Sequence, residues 1–408
     1  MSDFPPNRSN IIEIEPIHLR IRHNDPDLIL LRLYTDLSSR ASSSGSGGGA
    51  RHRLKRNKDV GGRCYCSNSN RHGGSNTWKE LGREIGKNTQ LKKIGFCGLR
   101  TNVTTREMEH LEAFCKGLNV NRSIEELSFF ACLFVAQGAM LQVLKPFFEN
   151  NKQLSSLGIR RCDLGPEGIC ALSSSLIRSH SIKKIDFSNN RIDGESVEEL
   201  VKALYLNHEL EELSLAGNDV GRYGCMALAA LLQNPQSMLK KLNLRCNNIN
   251  DEGAITLAES LMGNNKLTHL GLGGNESIHD PGWDAFSRVI CDATSISTTY
   301  YSNHTLAVLT SSSHHSPASY LELNRCHNKH HVARQKIFGK HFDHPNFVTV
   351  PFVEMESSLL IHVLKFIDQF RGDGMENRNV RHTILFQLLK NIPQIFGVSG
   401  NKTHYKAK

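Results

Sequence analysis

Apolar positions recur along most of this chain with a step close to 28 residues. From Leu154 the chain reads LSSLGIRRCDLGPEG, and the same spacing of apolar residues returns from Ile182, Leu210, Leu239 and Leu267. Weaker copies begin at Leu91, Ile124 and Ile296, so successive starts are 28 to 33 residues apart. Each strong copy has the form L-x-x-L-x-L-x-x-N/C-x-L, followed by a glycine and a helical pattern. Self-similarity at such a step predicts a repeat architecture.

The spacing within one copy predicts a short strand followed by a helix. Because side chains of a strand alternate, the first, fourth and sixth positions point into a core, and we expect the Asn or Cys at the ninth position to turn inward as well. A helix that returns the chain makes neighbouring strands parallel. One copy cannot bury enough apolar surface to offset its ordering entropy, so the copies must stack and their ends must be capped.

This pattern resembles the leucine-rich repeat of the long, ribonuclease-inhibitor-like type, and the resemblance covers residues 91–306. It implies an α/β leucine-rich repeat solenoid, a horseshoe with a parallel inner sheet and outer helices. Proteins of this kind are mostly non-catalytic scaffolds that bind another protein through the concave face of the sheet.

Both ends of the array show capping signals, which define the predicted domains. LILLRLYTD places Leu28, Leu31 and Leu33 at the repeat offsets, and a Ser/Gly/Arg-rich run separates it from a helical segment at Thr77. Downstream, three amphipathic helices predict a helical C-terminal cap, and the segment ELNRCHNK with the VARQKI helix is similar to the C-terminal extension of leucine-rich repeat proteins numerous in diatoms. The predicted segments are an N-terminal stretch (1–27), a capping repeat (28–90) with a disordered insertion (38–76), the solenoid (91–310), the cap (311–396) and a basic disordered tail (397–408).

The composition places the positive charge in one segment. The net charge of the chain is +9, and the run between Leu37 and Asn76 contributes most of it. Within this run RHRLKRNK could serve as a nuclear-import signal, but the simpler interpretation is a solvated insertion. It has no interleaved aromatic residues, so we do not expect nucleic-acid binding. The start of the sequence shows no secretory signal and the 11 cysteines have no framework spacing, which favours reduced thiols in the cytoplasm or nucleus.

One uncharged window, from Leu127 to Leu144, is long enough to suggest a membrane span. The repeat register instead requires a buried strand, a turn and a buried helix there, so we expect no membrane partner.

Motifs for catalysis and cofactors are weak. GREIGKNT from Gly82 departs from phosphate-loop spacing, and the end of a helix explains it better. Two His/Cys groups, Cys64 and Cys66 with His52 and His72, and Cys326 with the histidines that follow it up to His344, lack the paired spacing of zinc sites. No local signature marks a nucleophilic serine. We therefore predict no enzyme activity, no cofactor, no metal and no small-molecule substrate.

The concave face is the predicted binding site, because the third, fifth and seventh positions of each copy point there. Arginines on such a face are candidate anchors, since Arg is enriched at interface hot spots. The predicted protein-binding residues are Lys93, Glu126, Phe130, Arg160, Arg161, Lys184, Asp186, Glu212, Lys241, Arg245 and His269.

An alternative function comes from a second resemblance. Proteins that activate the Ran GTPase have a similar repeat array, supply an Arg from a repeat loop and carry an acidic tail. Arg100, Arg161 and Arg191 occupy strand-to-helix loops here, but the tail GVSGNKTHYKAK is basic. This departure favours the scaffold over the GTPase activator.

Overall fold

A computed structural model describes residues 30–34, 65–66, 75–97, 105–132, 139–310 and 318–341. The predicted insertion lies almost entirely outside these residues, as do the basic tail and the last two predicted C-terminal helices. The chain divides into two compact units between Asn218 and Asp219, and each unit is described by itself.

The first unit alternates short strands with helices. Its strands are β1 (Leu30–Tyr34), β2 (Tyr65–Cys66), β3 (Lys93–Cys97), β4 (Glu126–Phe130), β5 (Ser156–Arg160), β6 (Lys184–Asp186) and β7 (Glu212–Ser214). Its helices are α1 (Ser75–Lys87), α2 (Thr105–Leu118), α3 (Ala139–Asn150), α4 (Gly165–Leu176) and α5 (Gly194–Leu204).

The strands of the first unit form a parallel sheet in the order β7-β6-β5-β4-β3-β1-β2. Repeat positions stand opposite one another along it: Glu126 faces Ser156, and Ser156 faces Lys184. β1 joins in the same register, with Leu31 opposite Ile94.

The second unit continues the alternation. Its elements are α6 (Gly221–Gln233), β8 (Lys241–Asn243), α7 (Asp251–Ser260), β9 (His269–Gly271), α8 (Asp280–Ile290), α9 (Ile296–Tyr301), β10 (Val308–Thr310), α10 (Ala318–Leu323) and α11 (Lys329–His341). β8, β9 and β10 are parallel neighbours in that order. The α/β leucine-rich repeat fold predicted from the spacing is confirmed.

The core contains the positions that the pattern assigns to it. Leu154, Leu157 and Ile159, at the first, fourth and sixth positions of one repeat, are fully buried. Packing also links neighbouring repeats, since the rings of Phe96 and Phe129 stack with centroids 4.9 Å apart. Burying a side chain of this size contributes roughly 1.5–3 kcal/mol.

The ninth-position side chains connect each repeat to the one before it. Asn218 Oδ1 accepts the backbone N–H of Asn190 at 2.8 Å, and its Nδ2 donates to the Phe187 carbonyl at 3.0 Å. In the second unit Asn275 Oδ1 accepts the backbone N–H of Asn247, and its Nδ2 donates to the Leu244 carbonyl. These bonds satisfy backbone groups that the turn after each strand would leave unpaired.

A second series of asparagines, which the sequence pattern did not reveal, lies at the other end of the strands. Asn121 Nδ2 donates to the carbonyls of Ile85 and Asn88, while its Oδ1 accepts the N–H of Ser123. The detectable signal is an Asn three residues before the first apolar position of a repeat. The residues that share this place are Asn88, Asn121, Asn151, Asn207, Asn264 and Asn303.

The register predicted for the last repeat was wrong. The segment from Ile296 is not a strand but helix α9, because Ser295 caps it in a capping box with Thr298. The final strand instead follows Leu306, and Leu309 in β10 stands opposite Leu270. Thr299, expected in a strand, is a buried helical residue.

The glycines of GREIGKNT belong to a helix crossing. Both lie in α1, and Gly86 is the residue before its last, as the helix interpretation predicted. A Cβ on Gly117 of α2 would overlap the backbone carbonyl carbon of Gly82. The glycines therefore allow the two helix backbones to touch.

The window from Leu127 contains most of β4 and the start of α3, with residues 133–138 not described. Across the part of the chain that the structure describes, no helix is both long and apolar enough to cross a membrane.

Helix α11 packs against α9 at the end of the second unit. Its Lys336 side chain is fully buried, and Nζ donates to the backbone carbonyls of Ile290 at 2.6 Å and Asn303 at 2.9 Å. Burial lowers the pKa of Lys336 to about 7. Asn324 Nδ2 donates to the Leu306 carbonyl at 2.7 Å, as the repeat asparagines do for their predecessors.

Candidate interaction surface

Alternate side chains of the strands point away from the core and form the strand face, defined here as the third, fifth and seventh repeat positions. In the first unit this face carries Lys93, Glu126, Phe130, Arg160, Lys184, Asp186 and Glu212 from the predicted set. In the second unit it carries Lys241, Arg245 and His269. Arg161 lies at the edge of the face, one residue beyond β5.

Charges on the first unit's strand face pair across neighbouring strands. Lys93 Nζ lies 2.8 Å from Glu126 Oε2, and Lys184 Nζ lies 3.3 Å from Glu212 Oε1. These side chains remain substantially exposed, so each pair contributes at most about 1 kcal/mol. Their main effect is to neutralise most of the face.

An aromatic and two arginines meet where β4 and β5 end. Phe130 stands opposite Arg160 in the register and remains 39% exposed. The guanidinium carbon of Arg161 lies 5.8 Å from the centre of the Phe130 ring, within cation–π range. Arg160 reaches Asp186 at 3.6 Å.

The backbone fixes Arg161 at this place. Its φ is +54°, the left-handed conformation shared by the eighth positions of the neighbouring repeats, such as Asn189 at +59°. The N–H of Arg161 donates to the Ser188 carbonyl at 3.1 Å, which ties the turn to the next repeat.

The second unit's strand face has a different charge pattern. Across β8, β9 and β10 the described positions of this face hold no acidic residue: they are Lys241, Asn243, Arg245, His269, Gly271, Gly273, Val308 and Thr310. Arg245 is exposed and its side chain extends over Gly273, where an added Cβ would stand 3.6 Å from Nε. Asn243 Oδ1 accepts the N–H of Arg245 at 3.3 Å and fixes the turn.

The Cys and His residues of the candidate zinc group after Cys326 do not come together into a site. Cys326 and His327 are exposed, whereas His341 is buried and shares a 2.8 Å hydrogen bond with Thr299. Within the described ranges no group of three or more His, Cys, Asp or Glu side chains could hold a metal ion. The other cluster, around Cys64, lies outside the residues whose side chains are described.

Comparison with known proteins supports the repeat assignment. The family described as "Leucine Rich repeat" matches residues 178–201, 206–229, 236–258 and 263–287. Mouse ribonuclease inhibitor is 34% identical over 154 residues, covering 38% of this chain and 33% of that protein. Pig ribonuclease inhibitor is 28% identical over 148 residues, covering 36% and 32%. Mouse "NACHT, LRR and PYD domains-containing protein 5" is 27% identical over 224 residues, covering 54% and 18%.

These matches agree with the parallel strands and the inward asparagines in assigning the repeat. The chain is a leucine-rich repeat protein. Its repeats are of the ribonuclease-inhibitor-like type. The matched region spans 33% of mouse ribonuclease inhibitor and 18% of the NACHT-containing relative, so the likeness concerns the repeats.

Proposed function

We propose that this protein is a non-catalytic scaffold that binds another protein through its strand face. The observation that carries the proposal is the exposed Phe130 with the Arg161 guanidinium over its ring, on the side of the sheet that points away from the core. Aromatic and Arg side chains are the residues most enriched at binding hot spots. The likeness to ribonuclease inhibitors, proteins named for their action on another protein, supports the same function.

The alternative, a GTPase activator, needs an arginine that can reach a nucleotide. Arg191 Nε lies 3.1 Å from Asp163 Oδ1, so this guanidinium already has an acidic contact, and nothing in the described residues places Arg161 beside a nucleotide site. Arg100 lies outside the described residues. A GTP-hydrolysis assay with a panel of small GTPases separates the two functions, and the scaffold is expected to leave their rates unchanged.

Affinity capture from native lysate tests the scaffold. The face variant carries Arg160→Glu, Arg161→Glu and Arg245→Glu, and the control variant carries Lys152→Glu, Arg178→Glu and Arg288→Glu at exposed positions off the strand face. The wild type and the control should capture the same proteins, and the face variant should lose them. Equal capture by all three proteins would contradict binding through this face.

A further inference from the structure

We propose that the partner presents acidic peptide sequence to the strand face, and that Arg161 in the first unit and Arg245 in the second unit, each taken by itself, bind a carboxylate. This inference rests on the proposed function and specifies the chemistry of the partner. It comes from the balance of charges in each unit taken separately.

In the first unit the acidic groups near the strand ends are each matched by a basic one. Lys93, Lys184, Arg160 and Arg191 contact Glu126, Glu212, Asp186 and Asp163 respectively. Arg161 is the basic residue left over: among the described residues its guanidinium contacts the Phe130 ring and no carboxylate. Among the side chains described on this face and at its edge, the surplus positive charge is therefore located on Arg161.

The chemistry of that side chain suits a carboxylate. The guanidinium carbon of Arg161 lies 5.8 Å from the centre of the Phe130 ring, and a guanidinium carries a planar fork of N–H groups that matches the two oxygens of a carboxylate. Because its neighbours Arg160 and Arg191 already have acidic contacts, a single monoanionic carboxylate balances the site. A phosphate dianion would need a cluster of uncommitted arginines.

The second unit supports the same partner independently. Its strand face has Arg245 and Lys241 with no acidic residue among the described face positions. No carboxylate in the described part of the chain lies within ion-pair distance of the Arg245 guanidinium. Gly271 and Gly273 beside it carry no side chains, and the Arg245 side chain lies across them at the surface of the sheet.

Selection from a phage-displayed library of random 12-residue peptides, with the full-length protein as bait, tests this inference. The wild type should enrich Asp and Glu several-fold over the starting library. Arg161→Gln and Arg245→Gln should each reduce the enrichment, whereas Arg178→Gln and Arg288→Gln should retain it. Circular dichroism checks that the variants fold, which is expected because both arginine side chains are exposed.

Fluorescence anisotropy on one selected peptide makes the comparison quantitative. Replacing its Asp and Glu by Asn and Gln should weaken binding about tenfold, the scale of one charge-assisted hydrogen-bonded pair. Arg161→Lys should also lose most of the affinity, because the charge remains but the planar fork does not.

Three outcomes would overturn the inference: no acidic enrichment, enrichment of basic peptides, or identical pools from wild type and both face variants. A preference for phosphorylated over carboxylate peptides in the same assay would also overturn it. If capture from lysate still depends on the strand face in those cases, the proposed scaffold function stands and only the partner chemistry is wrong.

Discussion

The Nζ atom of Lys336 lies 2.9 Å from the backbone carbonyl oxygen of Asn303, at a position from which solvent is excluded. Asn303 is itself one of the asparagines that precede the strands, and it donates to the carbonyls of Leu261 and Asn264. One lysine of α11 thus supplies a donor to the last link in a series of hydrogen bonds between repeats.

The stability of the second unit should rise with pH above neutrality because of Lys336. Burial lowers its pKa to about 7 in the folded chain, while the unfolded value is 10.5, so the unfolded state binds the extra proton between these values. Two other titratable groups act on the Lys336 pKa through their charge: Cys291 raises it and Lys329 lowers it. We expect a gain of roughly 1.5 kcal/mol between pH 7 and 8.5. At higher pH the buried thiols of Cys225 and Cys291, whose pKa values burial raises, oppose this gain.

Urea unfolding followed by the fluorescence of Trp283, in a Trp78→Phe background, measures this gain. Lys336→Met should abolish most of the pH-dependent rise, and Lys340→Met, an exposed lysine of the same helix, should keep it. The same rise in Lys336→Met as in the wild type would show that another group is responsible.

Two histidines should cause a separate loss of stability at acidic pH. Burial lowers the pKa of both His304 and His341 to about 4, with Lys336 and Lys340 respectively adding to the shift. His304 also faces Lys329 and His330, and His341 faces Asp292. Because the folded values lie below the unfolded 6.5, stability is present above 6.5 and is lost as the pH falls toward 4.

From pH 7 to 5 the two histidines together should reduce stability by roughly 2 kcal/mol, allowing for some solvent contact. The double variant His304→Gln, His341→Gln should show a flatter profile over this interval in the same Trp283 assay. A control with His331→Gln, an exposed histidine of α11, should follow the wild type. A double variant as pH-sensitive as the wild type would contradict the assignment.

Removing one inward asparagine should weaken the first unit substantially. Asn190 Oδ1 accepts the N–H of Cys162 at 2.9 Å, and its Nδ2 donates to the Phe187 carbonyl at 2.9 Å. Asn190→Ala leaves the buried N–H of Cys162 without this acceptor, whereas the Phe187 carbonyl keeps the bond from Asn218, and the change should cost roughly 1–3 kcal/mol in urea unfolding.

Two comparisons sharpen this prediction. Asn190→Cys should recover part of the loss, because Cys162 accepts the N–H of Cys132 in the neighbouring repeat. Asn150→Ala, at an exposed asparagine of α3, should cost less than about 0.5 kcal/mol. An equal effect of the alanine substitutions at both sites would mean that the inter-repeat bonds add nothing.

The crossing of α1 and α2 predicts which glycine cannot be replaced. A Cβ at Gly117 would overlap the backbone of Gly82, which cannot move aside as a side chain could. Gly117→Ala should therefore destabilise the protein by about 3 kcal/mol. Gly339→Ala in α11, where nothing lies within 4 Å, should instead stabilise it by about 0.5–1 kcal/mol. Thermal melts monitored at 222 nm compare the two, and equal effects would contradict the crossing.

Much of the fold could be predicted because each strong repeat specifies its own core. Leu154, Leu157 and Ile159 are apolar at the expected positions, and strand side chains have no alternative burial. The segment at Ile296 was misassigned because Thr299 and Tyr301 satisfy a loose match, whereas the capping box at Ser295 determines the local structure. Periodicity detects apolar residues and does not detect caps.

The position of the candidate site could be predicted from the sequence, but its balance of charges could not. Alternation along β4 and β5 is enough to put Phe130 and Arg160 on the exposed side of the sheet. Which arginine remains without an acidic contact depends on cross-strand neighbours such as Asp186 and Asp163, and those follow only from the register. Lys336 could not be predicted for a related reason: a lysine is rarely fully buried unless it has partners, and its hydrogen-bond acceptors come from distant segments of the chain.

The asparagine bonds give the repeats a polarity. Asn218 satisfies Asn190, and Asn275 satisfies Asn247, so in each case the later repeat completes the earlier one. A repeat lost from the start of such a series leaves behind an asparagine side chain that can hydrogen-bond to water instead. A repeat lost from its end leaves main-chain amides and carbonyls orphaned in the interior. Loss or gain of repeats is therefore tolerated unequally at the two ends of such a series. The terminal segment that contains Asn324 and Lys336 must be retained, whatever the number of repeats before it.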